Sequence, residues 1–331
     1  MKNMNEEIMR KLQESVGNSS LNLTSKIQFL ETSDENLRML LPADAVSDNM
    51  QNDDAAFEGW AVIIYTYFIK AEKHYKHMVL DIEDFLYDEE VFRSNRNCNR
   101  FLYRVLRFSE QYASWFLLSE KLKKAVELFV EFLKEVSVLT NNTPGQEADI
   151  PANRDSEAAV EMLLAADDGA GLRELFKNSP ISIGGNPVNR QLPVGLFAEE
   201  VKDKSAVFPG RKAAIDMWTW NEDTFYILEL KKKENKKVGI LSEVFFYANY
   251  MCDLLLTDGR FTFNEKGKAK RGYESLKELV KKEEMKRIGA IMLTDEIHPL
   301  IGGEVLDELN RGTERKRIQY FIQKYVKESV R

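Results

Sequence analysis

The stretch Ala213-Ala214-Ile215-Asp216-Met217-Trp218-Thr219-Trp220-Asn221-Glu222-Asp223-Thr224-Phe225-Tyr226-Ile227-Leu228-Glu229-Leu230-Lys231 decides how the fold is read. Two apolar, aromatic-rich runs flank a polar segment at 221–224, the pattern of a β-hairpin. With Glu222 and Asp223 as a two-residue loop, the commonest hairpin length, Asn221 faces Thr224. Counting back, Asp216 faces Glu229 and Ala214 faces Lys231. Opposed residues of an antiparallel pair share a face, with Cβ atoms about 5 Å apart. Asp216, Glu229 and Lys231 therefore gather on one side, while Ile215, Met217, Tyr226, Leu228 and Leu230 point to a core on the other.

Two carboxylates held opposite each other repel, and the strand pair gains nothing from them. A divalent cation between them removes the repulsion. Oxygen ligands of this kind suit Mg²⁺ or Mn²⁺, which bind through one or two carboxylates plus water and substrate phosphate. Lys231, two residues after Glu229 and on the same face, is placed to hold a phosphate oxygen or orient a metal-bound water. Together these groups would support metal-assisted phosphodiester hydrolysis. The competing reading makes them solvated residues on the polar face of an ordinary hairpin.

Ile215-Asp216 followed by Glu229-Leu230-Lys231 resembles the PD-(D/E)xK phosphodiesterase superfamily, with Ile215 where the family has proline. The resemblance implies an α/β, restriction-endonuclease-like core, a mixed central sheet flanked by helices, over about residues 187–326. It implies Asp216, Glu229 and the Leu230 carbonyl as metal ligands and Lys231 as the catalytic lysine. A helix follows the motif in this superfamily, and the apolar run starting at Ser242 or Gly239 and extending to Leu256 fits that place. Glu243 and Tyr247, at helical i,i+4 spacing, match a polar–tyrosine pair that some relatives carry near the metal; core packing is the other reading of Tyr247. The family often adds an acid on the helix before the hairpin. Glu199 and Glu200 lie near that place, with Glu161 and Glu174 as rivals. The segments Arg190–Phe197 and Lys236–Glu243 are similar to a group of uncharacterised bacterial proteins in the superfamily, which adds no substrate.

Composition bounds the rest. The chain has 331 residues, 44% hydrophobic and 31% charged, enough for two globular domains. It has no 18-residue apolar run and no apolar signal core near Met1, so a soluble cytoplasmic protein without a membrane partner is expected. Cys98 and Cys252 make a disulfide framework unexpected. His74 and His77 lack a third ligand nearby for zinc. A net charge of −7 argues against a bulk electrostatic nucleic-acid binder, but a local basic rim suffices for a nuclease. Lys232, Lys233, Lys236 and Lys237 supply one beside the motif, and Lys266–Arg271 is a second basic stretch; solvated loops are the plain reading of both.

Thr140–Asp155 is polar and contains Pro144 and Gly145, so it reads as a linker. It separates a mainly helical N-terminal domain, 1–139, from a nuclease-like domain, 156–331. Helices are expected over Met4–Val16, ended by Gly17, over Ser33–Leu41, from Trp60 through Lys76, around Arg100–Tyr112, and from Glu120 to about Val138 with Ser119 as N-cap. Met78–Ile82 fits either a helix or a strand. Arg100, Arg104 and Arg107 form a basic stripe, either a solvated face or a contact to nucleic acid or a partner. Arg287–Thr294 reads as a buried strand, Gly303–Asn310 as a short helix and Arg317–Tyr325 as an edge strand.

The leading expectation is a bacterial nuclease acting on nucleic acid, DNA before RNA because the resemblance points that way. A defence role, with the N-terminal domain as the recognition part, follows by analogy alone. Restriction-like enzymes often pair, so a homodimer is a further expectation. The alternative is a catalytically idle module of the same fold binding nucleic acid or a protein partner. A third is an interaction protein with no nucleic-acid role.

Overall fold

The computed structural model describes the chain apart from residues 25, 33–34, 86–89, 91–93, 142–152, 154–155, 210–212, 234–236, 257–258, 268–270 and 326–331. In chain order the first elements are β1 (Lys2–Asn3), α1 (Asn5–Val16), β2 (Gln28–Glu31), β3 (Asn36–Leu41), α2 (Phe57–Ile64) and β4 (His77–Ile82). Then come α3 (Arg96–Gln111), β5 (Phe116–Leu118), α4 (Glu120–Glu135), β6 (Val138–Asn141), α5 (Glu157–Ala165) and α6 (Ala170–Phe176). β7 (Asn189–Pro193), β8 (Gly195–Ala198), β9 (Ala214–Trp220), β10 (Thr224–Lys231) and α7 (Gly239–Leu255) follow. The last are α8 (Tyr273–Lys282), β11 (Arg287–Thr294), α9 (Gly303–Leu309) and β12 (Ile318–Lys324). The protein is α/β, with mixed sheets flanked by helices.

Two compact units result. One comprises Met1–Glu135, Lys237–Glu243 and His298–Arg315; the other comprises Val136–Lys236, Val244–Ile297 and Lys316–Arg331. The division falls at Glu135/Val136, and two later segments join the first unit, so neither unit is one continuous stretch. Most of the expected linker lies outside the described residues. Its first residue, Thr140, is buried in β6, which pairs antiparallel with β8.

The first unit corrects the expectation of a mainly helical domain. Among the described residues it holds a five-stranded sheet in the order β1-β2-β3-β4-β5, with β3, β4 and β5 parallel. The run Asn36–Leu41, read as a helix, is strand β3. Its apolar residues satisfy either period, but burial alternates: Leu37, Met39 and Leu41 are buried, while Arg38 pairs with Asp81 of β4. Met78–Ile82 likewise resolves as a strand. Helix α1 ends at Gly17 in the left-handed conformation (φ 64°) as its sequence predicts. Helix α2 is buried along its whole length, which explains why no amphipathic pattern marks it. The Ser119 hydroxyl accepts from the Leu122 N–H at 3.4 Å at the start of α4.

Two of the three arginines of the stripe on α3, Arg104 and Arg107, are buried, and Arg100 is half-buried. Arg104 is 2% exposed; its Nε donates to Glu58 Oε1 at 2.7 Å, and its Nη2 donates to Glu58 Oε2 and, at 3.0 Å, to the Ala55 carbonyl. Arg107 is buried and pairs with Glu110 (2.9 Å) and Glu314 (3.8 Å). These arginines are internal ion pairs of the first unit.

The second unit is built on a five-stranded sheet in the order β12-β11-β10-β9-β7. β10 is its centre, antiparallel to β9 and parallel to β11, and each of its eight residues is buried. Strands covered on both faces read as near-continuous apolar runs, which suits β10 and β11. β12 lies at the edge, as its alternation predicts. On one face of the sheet Met217, Tyr226, Leu228 and Leu230 pack with Val160 and Leu164 of α5 and Leu172 and Phe176 of α6.

Candidate active site

The hairpin has the register its sequence predicts. Phe225 pairs with Trp220, Tyr226 with Thr219, Ile227 with Trp218 and Leu228 with Met217, and the Asn221 N–H donates to the Thr224 carbonyl at 3.0 Å. The ladder ends at Leu228–Met217, and the same offset carried one step further would set Asp216 opposite Glu229. Asp216 is half-buried, whereas Glu229 and Lys231 are 3% and 6% exposed. The Lys231 Nζ lies 2.6 Å from Glu229 Oε1, so the residues two apart on one strand face form a buried ion pair. Asp216 Oδ2 accepts from the Leu230 N–H at 3.0 Å, which ties the acid to the motif strand by its backbone. On the same face Trp218 stacks with Trp220 (5.8 Å) and Phe225 (5.2 Å).

The segment before the hairpin supplies strand β7. Its pairing with β9 runs Asn189–Trp218, Arg190–Met217, Leu192–Ile215 and Pro193–Ala214. Gln191 therefore stands opposite Asp216, and it has a left-handed backbone (φ 54°) inside a strand. That conformation is costly for a residue with a Cβ, and such outliers gather at functional sites. The Gln191 amide donates to Asp216 Oδ1 at 3.4 Å and to Glu161 Oε2 at 3.0 Å.

Glu161, on α5, is thus linked to Asp216 through Gln191. It is 3% exposed, and Arg190 Nε donates to its Oε1 at 2.8 Å. Burial raises its carboxyl pKa above the usual carboxylate value, against the opposing pull of Arg190, Gln191 and Arg271. One turn earlier on α5, Glu157 accepts from the Lys232 N–H at 3.0 Å. Glu161 was a rival among the sequence candidates; Gln191, Arg190 and Glu157 were missed.

The other candidates lie elsewhere. Glu199 and Glu200 follow β8, where Glu199 donates its N–H to the Ser137 carbonyl and the Glu200 carboxylate pairs with Lys202 and Lys204. Glu174 sits on exposed surface and pairs with Lys177. Glu243 clusters with the first unit, where Gln51 donates to its carboxylate. Tyr247 is buried in the second unit, its ring centre 5.5 Å from that of Phe246. Of the lysine run, Lys232 is half-buried, Lys233 and Lys237 are exposed, and Lys236 lies outside the described residues. Lys237 belongs to the first unit, where its charge acts on Asp53.

Asp216, Glu229 and the Leu230 carbonyl are hard oxygen donors, and a Mg²⁺ or Mn²⁺ site needs only one or two carboxylates beside water and phosphate. The donor set fits such an ion in kind. Among the described residues no group of three His, Cys, Asp or Glu is arranged to hold a metal, so water and substrate oxygens would have to complete the shell. No helix among the described residues is long and apolar enough to cross a membrane. Comparison with family models, curated proteins and solved structures finds no match.

Proposed function

We propose that this chain is a Mg²⁺- or Mn²⁺-dependent nuclease of the PD-(D/E)xK type acting on DNA. The observation that carries the reading is the bond from the Leu230 N–H to the Asp216 carboxylate, which ties that acid to the strand carrying the buried Glu229–Lys231 pair. The order of elements supports it: helices α5 and α6, the β9–β10 hairpin, helix α7 and strand β11 come in the sequence the superfamily's core requires, with β7 and β8 before the hairpin and α8 before β11 as additions. DNA is preferred to RNA on the resemblance alone.

In this reading Asp216, Glu229 and the Leu230 carbonyl hold the ion. When bound, the ion supplies a Lewis acid and a more acidic water. Lys231 carries the positive charge that meets the phosphate as negative charge builds up on it. The Leu230 N–H and Gln191 fix the Asp216 carboxylate, and Arg190 fixes Glu161. Cutting both strands of a duplex needs two such sites, which is the basis for proposing a homodimer. A cytoplasmic place of action is part of the proposal.

The test incubates purified protein with plasmid, linear duplex, single-stranded DNA and RNA in Mg²⁺, Mn²⁺ or EDTA. Cutting that requires the metal is expected. Cutting that persists in EDTA would contradict the reading.

A further inference from the structure

The basic loop before α8 ends against the acidic site. Tyr273, the first residue of α8, closes the loop at its neck: its hydroxyl donates to the Asn264 carbonyl at 2.9 Å and accepts from the Gly267 N–H at 3.1 Å. Its ring packs on Phe263 at 5.3 Å. At the other end Arg271 and Gly272 are both left-handed, with φ 33° and 80°. Gly272 is pressed onto β7 and β9. A Cβ there would lie 2.5 Å from the Asn189 side chain and 2.5 Å from Trp218 Cζ2. Asn189 adjoins Arg190. Trp218 is two residues from Asp216 on the same strand face. The backbone of Arg271 is therefore held next to the row that carries the acids, in a conformation residues with a Cβ rarely adopt. The charge of Arg271 opposes, weakly, the upward shift that burial gives the Glu161 carboxyl. Arg271 itself is half-buried, and Lys266 on the same loop is exposed.

We propose that Arg271 is a substrate-binding residue of the Asp216–Glu229 site, contacting a backbone phosphate of the nucleic acid beside the one to be cut. The proposal rests on the nuclease reading. An arginine fork suits a phosphate better than a point charge does. An acidic site on a chain of net charge −7 needs local cations to admit a polyanion. Arg271 would meet that need independently of the lysines that follow the motif.

The experiment measures binding of labelled oligonucleotides by fluorescence anisotropy, with single-stranded DNA, duplex DNA and RNA in EDTA and in Ca²⁺, across a salt series. Full-length wild type is compared with Arg271→Gln and Arg271→Lys. A phosphate contact predicts that Arg271→Gln binds about tenfold more weakly, alike for all sequences, with a log–log salt slope smaller by about 1. Arg271→Lys keeps the salt slope and loses about threefold. If Arg271→Gln does not fold, Arg271→Lys decides between that loss and wild-type binding. Wild-type affinity and slope in the variants overturn the proposal and leave the nuclease reading standing. Wild type that binds none of the oligonucleotides overturns both.

Discussion

Lys231 Nζ and Glu229 Oε1 are 2.6 Å apart with both side chains almost wholly withdrawn from water. Each charge is tolerable only because of its neighbours. Replacing Lys231 with Met leaves Glu229 buried without that cation, and removing one partner of a buried pair costs about 3–5 kcal/mol. The Lys231→Met, Glu229→Gln double variant is expected to recover a large part of that loss. Urea unfolding of the four proteins in a double-mutant cycle measures it; additive single losses would show that the pair is not coupled.

Gln191 holds a left-handed backbone opposite Asp216. Gln191→Ala removes the bonds to Asp216 and Glu161 and keeps the strained φ. Gln191→Gly removes the bonds and relieves the strain. Glycine is therefore expected to be the more stable of the two by about 1 kcal/mol, the reverse of their order in an ordinary strand. Chemical denaturation of both variants checks the sign.

Glu161 has a folded-state pKa above its ordinary value, burial being the main cause. The sign follows from linkage: the native state binds this proton more tightly than the unfolded chain. Its contribution to stability is complete below the unfolded pKa and is lost as pH rises through the folded one. Glu161→Gln has no such titration. Wild type should gain stability relative to Glu161→Gln as pH falls from 7 towards 4, read from urea midpoints at each pH. A constant difference, or a change the other way, would contradict the assignment.

The two cysteines are free and buried, and burial pushes the Cys98 thiol up to about 12. A thiol that is both protonated and covered is inert. Ellman's reagent should find no reactive thiol in the native protein and two in denaturant. Rapid native labelling of Cys98 would show that its surroundings open.

The hairpin was legible because a side-chain period of two and a two-residue loop leave one register, which the four pairs from Phe225–Trp220 to Leu228–Met217 follow. Strand β11 and helix α7 were legible from their unbroken apolar runs. The sheet of the first unit was not, since runs such as Asn36–Leu41 are too short to separate one period from the other. Arg104 looked like a surface charge because its partner, Glu58, is 46 residues away in sequence. Gln191 was hidden for another reason: its role depends on a backbone angle and on Glu161, which reaches it from a different element. Spacing along the chain carries neither fact.

The measurement that bears most directly on the central claim compares metal-dependent DNA cleavage by wild type, Asp216→Asn and Glu229→Gln, each first shown by melting to be folded at the assay temperature. The account predicts Mg²⁺- or Mn²⁺-dependent cutting by wild type and background cutting by both variants. Cutting at the wild-type rate by either variant would remove the opposed carboxylates from the chemistry and contradict the account.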